Sequence, residues 1–347
     1  MGMKQWKGFE YGVDLGGWLS QCPPFEGHYA SFIKAEDFAT VKEWGLDHVR
    51  VPVDYSLFED DKGTPRYERL KYLDFAVEEC AKNGLNMVLD LHRTIGFSFD
   101  EAHGETGFFG SPDLQEHFYK TWEMLAKRYG GFKHVAFELL NEVTKKEYCE
   151  TWNRVSGECV SRIRAIAPDT PILIGGYYNN SVEALKDLAL PQDDNIIYNF
   201  HCYDPLLFTH QGATWIDTMD PAFRCPFRMT YAEYTKKSVE QLGERFAEAF
   251  AGFEPSEVID EKYFEALFQE AVSVAEERNV RLYCGEYGVI DRVAPEEALL
   301  WFEAFHKALK KFGIGSAVWN YRRMDFGLSD ARMDGVRDRV LKLIKGE

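Results

Sequence analysis

Residues 134–142 read HVAFELLNE, and the way this stretch ends decides how the chain is read. It is apolar with one glutamate inside, Glu138, and it closes on Asn141 and Glu142, where a buried strand should hand over to a turn. An ionised carboxylate in such a place is costly unless it is paired or hydrogen-bonded. Seven further short, β-branched or apolar runs surround it: FEYGVDLGG from residue 9, LDHVRVPVD from 46, LNMVLDLHR from 85, PILIGGYY from 171, NIIYNFHCY from 195, VRLYCGEYG from 280 and IGSAVWNYR from 314. Each is followed by a longer segment with apolar residues at helical spacing, the pattern of βα units that build a parallel sheet. Eight strands are the number that closes a (β/α)8 TIM barrel.

The intervening segments agree with that reading. ERLKYLDFAVEECAKNG, from Glu68, lines Leu70, Leu73, Val77 and Cys80 along one helical face and stops at Gly84, a natural C-terminal cap. SPDLQEHFYKTWEMLAKRYG opens with Ser111 as N-cap and Pro112 at the first helical position, then repeats Leu114, Phe118, Leu125 and Tyr129. At 347 residues the chain has the length of one barrel with additions, so residues 1–347 are expected to form a single catalytic domain. The interval between the sixth and seventh runs is the longest, about 85 residues. Its first part, about 205–260, is too rich in aromatics for a disordered linker and is expected to be a small helical insertion over the strand ends.

A formal net charge of −17 repels phosphate backbones and anionic lipids, which argues against nucleic-acid and membrane partners and favours a neutral substrate. Seven cysteines, with no C-x-x-C pair and an odd total, suit reduced thiols. The start, MGMKQWKGFEYGVDL, shows no apolar signal region, and no run of about 18 apolar residues follows. The expectation is a cytoplasmic monomer, or a secreted one if a leader preceded Met-Gly-Met.

In a closed parallel barrel the active site lies at the carboxyl ends of the strands. The polar residues there are Arg50 on the second, His92 and Arg93 on the third, Asn141 and Glu142 on the fourth and His201 and Tyr203 on the sixth. The seventh carries Glu286 and Tyr287, and the eighth Trp319, Asn320 and Tyr321. Glu142 and Glu286 close the fourth and seventh strands, nearly opposite in an eight-strand ring, so their carboxyl groups can face each other. Two facing carboxylates are the equipment for cleaving a glycosidic bond: one protonates the leaving oxygen, while the other stabilises or attacks the oxocarbenium-like centre.

VDLGGW, HVRVPVDY, LDLHR, AFELLNE, YNFHCYDP, LYCGEYGV and AVWNYRRMDF, in this order, resemble glycoside hydrolase family 5, the cellulase family, across essentially the whole chain. More narrowly, FELLNEV, YNFHCYDP with FTHQ after it and LYCGEYGVI resemble bacterial endoglucanases of the CelC type. The resemblance implies Glu142 as general acid/base and Glu286 as nucleophile of a retaining double displacement, with Arg50 hydrogen-bonded to Glu286. It implies Asn141 at the sugar 2-hydroxyl, His201 against Glu142, Tyr203 supporting the nucleophile, His92 binding the sugar and Trp319 as the floor beneath it. No cofactor and no metal are implied. The implied activity is an endo-β-1,4-glucanase acting on cellulose-like or mixed-linkage β-glucans or cello-oligosaccharides. Neighbouring activities are a β-mannanase, a β-1,3-glucanase or an exo-acting β-glycosidase. Two positions depart from the family pattern: Asp14 replaces an asparagine, and His92-Arg93 replaces a His-His pair.

Blander readings compete. The two glutamates can be read as a structural ion pair with arginines, and the two histidines as core residues or as metal ligands of an amidohydrolase-like barrel. That metal reading lacks the H-x-H pair after the first strand. A sugar-binding barrel without turnover is the rival from another class, against which stand both glutamates, Arg50 and Asn141. Trp18, Phe108, Phe109, Tyr178 and Trp215 are candidates for extending the cleft or for packing loops. By strand alternation Cys284 is expected to share the face of Glu286.

Overall fold

The computed structural model describes residues 4–100 and 104–347. Eight parallel strands close in sequence order: β1 (Tyr11–Asp14), β2 (His48–Asp54), β3 (Asn86–Arg93), β4 (Val135–Glu138), β5 (Ile172–Ile174), β6 (Ile196–His201), β7 (Arg281–Glu286) and β8 (Gly315–Val318). β8 pairs back onto β1, with Val318 opposite Val13, so the sheet has no free edge. Each of the eight apolar runs contains one strand. β4 is shorter than its run: regular pairing stops at Glu138, and Glu142 adopts a left-handed φ of 46° beyond the strand.

The helices cover the outside. Residues 71–83 form one after a 3-10 turn at 67–70, and Gly84 ends it at φ 61°. Ser111 caps the helix Pro112–Tyr129, its Oγ accepting from the Leu114 N–H at 3.3 Å. Leu70, Leu73, Val77, Cys80, Phe118, Leu125 and Tyr129 are buried in the layer between helices and barrel. The fifth crossover departs from the pattern, because only a four-residue turn, Tyr177–Asn180, and a 3-10 helix, Val182–Asp187, join β5 to β6. Tyr178, Asn179 and Asn180 before it are left-handed, a conformation that a right-handed helix cannot continue. Between β6 and β7 the helix Tyr231–Leu242 starts at a Thr230/Glu233 capping box. Aromatics anchor it: Tyr231 stacks on Phe253 at 4.5 Å, and Phe250 lies 5.5 Å from Tyr263 on the barrel helix Glu261–Arg278.

Inward-facing residues recur every second position, and they form layers. Val88, Ala136, Leu173, Ile197, Tyr283 and Ala317 make an apolar plug with Trp6 and Phe9, which stack at 3.9 Å. Gly12 belongs to this level because a Cβ there would lie 2.2 Å from His48 Nε2, which meets the Tyr283 hydroxyl at 2.6 Å. Two residues further along the strands the interior turns polar, with Asp14, Arg50, Asp90, Glu138 and Asn199 all fully buried.

A register shift between β6 and β7 pairs Phe200 with Cys284 but His201 with Glu286, leaving Gly285 as the extra residue. Glu286 therefore turns inward, and Cys284 joins the outer helical layer. This corrects the expectation that strand alternation puts the two on one face.

Candidate active site

Arg50 is the frame on which the site is assembled. Its Nε and Nη2 donate to the two oxygens of Glu138 at 2.6 and 2.9 Å, a bidentate fork that fixes the guanidinium plane. Nη2 also donates to Asn141 Oδ1 at 2.9 Å and lies 3.0 Å from Asp90 Oδ2. Nη1 donates to Glu286 Oε1 at 2.7 Å and to Asp14 Oδ1 at 3.1 Å. One buried cation thus faces four carboxyl groups, more negative charge than it can balance in a low-dielectric interior. Burial accordingly raises Asp14 and Glu138 above the usual carboxylate range and pushes Asp90 up to about 7, with the Arg50 charge opposing the rise in each.

Above this layer stand the two candidate carboxylates. Glu286 Oε2 accepts from the Tyr203 hydroxyl at 2.9 Å, so both of its oxygens are held. Glu142 Oε1 faces His201 Nδ1 at 2.9 Å, and its Oε2 accepts from Asn179 Nδ2 at 2.9 Å. Oxygens of Glu142 and Glu286 and a ring nitrogen of His201 lie within 4.8 Å of one another. Burial raises the Glu142 carboxyl, opposed chiefly by the Asn179 hydrogen bond. Burial lowers His201 to about 4, which leaves its ring neutral at pH 7. Glu142, His201 and Glu286 are also the one group of potential metal ligands among the described residues. The Arg50 guanidinium donating into Glu286 opposes a second cation there.

His92 Nδ1 meets Asp90 Oδ2 at 2.6 Å, which fixes the ring, and the ring lies parallel to the Trp319 indole with centroids 5.9 Å apart. The glycine pair after β1 makes room for that indole: a Cβ on Gly16 would stand 2.4 Å from it. Asn320 holds the same corner, accepting from Gly16 N–H at 2.9 Å and donating to Gly16 O at 3.1 Å. Gly285 has a similar reason, since a Cβ there would lie 2.6 Å from Asn199 Oδ1 and 3.0 Å from His201 Nε2.

The cellulase model of glycosyl hydrolase family 5 matches residues 7–325. The chain belongs to this family. It is 41% identical to cellodextrinase A of Ruminococcus flavefaciens over 98% of this chain and 94% of that protein. It is 36% identical to endoglucanase C of Acetivibrio thermocellus over 97% of this chain and 98% of the other. Among solved structures, an endoglucanase of the hyperthermophile Thermotoga maritima matches with a TM-score of 0.75 and 24% identity, covering 97% of each chain, which bears on the fold. The chain is thus a glycoside hydrolase on a TIM barrel.

In this family 5 barrel all eight residues singled out in the sequence, Arg50, His92, Asn141, Glu142, His201, Tyr203, Glu286 and Trp319, gather at one mouth through the contacts above. Other strand-end residues do not join them. Tyr287 is buried against Phe305 at 4.7 Å, and the Tyr321 hydroxyl donates to Asp37 at 2.8 Å. Arg93 is neutralised by Asp54 at 3.3 Å and by Glu105. Of the candidate cleft aromatics, Trp18 is fully buried with its Nε1 donating to Tyr29 O at 2.8 Å, and Phe108 is core. Phe109 stacks on Tyr148 at 4.0 Å, while Tyr178 and Trp215 are about half exposed. Sequence reasoning missed Asp90, Asn179 and Asn199 and left Glu138 open. Asp90 and Asn199 each precede a site histidine by two residues, and that period-2 spacing was a usable signal.

Proposed function

We propose that this family 5 hydrolase cleaves β-1,4-linked glucan chains with retention of configuration, using Glu286 as nucleophile and Glu142 as acid/base. The observation that carries this is that an oxygen of Glu142 and an oxygen of Glu286 lie within 4.8 Å of each other, the close approach of a retaining pair and too near for the roughly 6.5–9.5 Å separation of carboxyl groups in an inverting one. In the first step Glu286 attacks the anomeric carbon while Glu142 gives its proton to the departing glycosidic oxygen. The carbon–oxygen bond to the leaving sugar breaks and a glycosyl ester forms. In the second, Glu142 takes a proton from water, the water oxygen bonds to the anomeric carbon, and Glu286 leaves. Arg50 and Tyr203 hold the nucleophile, Asn141 is aimed for the 2-hydroxyl, and Trp319 offers its face to the sugar ring.

The name endoglucanase C on one relative supports internal cleavage, whereas cellodextrinase A, on the more similar one, supports trimming of soluble oligosaccharides. The same reading takes 1–347 as one catalytic domain and 205–260 as an insertion beside the cleft. In support, Ile290 N–H, after β7, donates to Thr209 O at 2.9 Å. Assays on barley β-glucan, carboxymethylcellulose and defined cello- and manno-oligosaccharides test the proposal, with product anomers followed by NMR. Rapid viscosity loss supports the endo reading, and rates that fall with chain length support trimming. Turnover of mannan with no β-1,4-glucan cut overturns the substrate, and inverted products overturn the mechanism.

A further inference from the structure

One contact on Glu142 comes not from a strand but from the turn after β5. After β5 the chain runs GGYYNN, residues 175–180, and Tyr178, Asn179 and Asn180 adopt φ of 50°, 57° and 57°. Left-handed residues other than glycine are uncommon, asparagine bears the conformation best, and such strain concentrates at functional sites. Gly175 permits the turn, because a Cβ there would lie 2.2 Å from Asn180 Oδ1. Asn179 is attached to the acid/base loop twice. Its backbone N–H donates to Val143 O at 3.0 Å, and its Nδ2 donates to Glu142 Oε2 at 2.9 Å.

We propose that Asn179 is a positioning residue that acts through Glu142: it holds Oε2 from the cleft rim, biases this carboxyl toward its ionised form, and so suits it to deprotonate water in the second half of the reaction. The inference rests on Glu142 being the acid/base. The groups that set the field there are His201 from β6, Tyr203 after it, Glu286 from β7, His92 and Asp90 from β3 and Arg50 from β2. Asn179 is uncharged, so removing its amide leaves all of these in place. The Asn179 hydrogen bond is the largest influence opposing the burial that raises Glu142.

Two variants separate this role from a structural one. Asn179→Gly keeps the left-handed backbone and loses the donor. Asn179→Asp keeps the shape, exchanges donor for acceptor and adds a negative charge. The pH profile of kcat/KM on cello-oligosaccharides should show the basic limb moving to higher pH, by about 0.5 unit in the glycine variant and further in the aspartate variant. The acidic limb should stay in place in the glycine variant. A basic limb that stays put or moves down in both, whatever happens to Tm or kcat, overturns the proposal. If Glu142→Gln hydrolyses the same substrates at the wild-type rate, the acid/base assignment has failed. If that variant is inactive and the limbs stay fixed, only the role of Asn179 has failed.

Discussion

The two levels of the barrel interior lie two residues apart on the same strands and are made of opposite materials. At one, Val88, Ala136, Leu173, Ile197, Tyr283 and Ala317 close over Trp6 and Phe9. At the other, Arg50 gathers Asp14, Asp90, Glu138 and Glu286. Burying each large apolar side chain contributes about 1.5–3 kcal/mol, with no polar group to satisfy. A buried ion-pair array contributes little net stability, because desolvation offsets its attraction. The polar level therefore holds groups at fixed positions for chemistry, while the apolar level and the helical shell hold the fold.

The largest effect should come from the reacting carboxylate. Glu286→Ala should lower hydrolysis by about 10^4-fold or more while sugar binding remains measurable by calorimetry. Azide should rescue the variant and yield the inverted glycosyl azide, and an unchanged rate would remove Glu286 from the nucleophile role. Next, Arg50→Met should cost about 3–5 kcal/mol in urea unfolding, because it strands buried carboxyl groups without their cation. If stability were unaffected, the polar level would not be the interdependent unit described above.

One level down, Leu173→Ala should cost about 2–5 kcal/mol through the cavity it leaves, with kcat of the folded protein preserved. A fall in kcat at full folding would show that the two levels are coupled. The smallest effect is on pH dependence. Asp90 is raised by burial to about 7, well above its unfolded value of about 3.9, so the native state binds the extra proton and stability falls as pH rises between those values. Asp90→Asn should shrink that fall, as read by Tm across pH 4 to 7. An identical pH dependence would mean that Asp90 does not hold the proton.

Legibility followed the same division. The βα rhythm, the Ser111 cap and the Gly84 stop depend on local chemistry and were readable, as were the eight residues that meet at the mouth. The polar level was readable in principle, since Asp90, Glu138 and Asn199 keep the period of two with His92, Leu140 and His201, yet strand-end residues drew the attention. Glu138 now has its partner in Arg50. Trp18 and Phe108 illustrate the converse, because an aromatic near a strand end carries no mark of whether it faces cleft or core.

Periodicity and caps are properties of neighbouring residues, so the order of amino acids alone settled the number of strands, their parallel arrangement and which ends carry the polar groups. The extra residue at Gly285 that turns Glu286 inward is of another kind, because it depends on how β6 and β7 register. So is the contact of Asn179 with Glu142, which depends on the turn after β5 docking its N–H on Val143 O of the loop after β4. Contacts between segments far apart in the chain have no local signature, and they decided which atoms hold the two carboxylates.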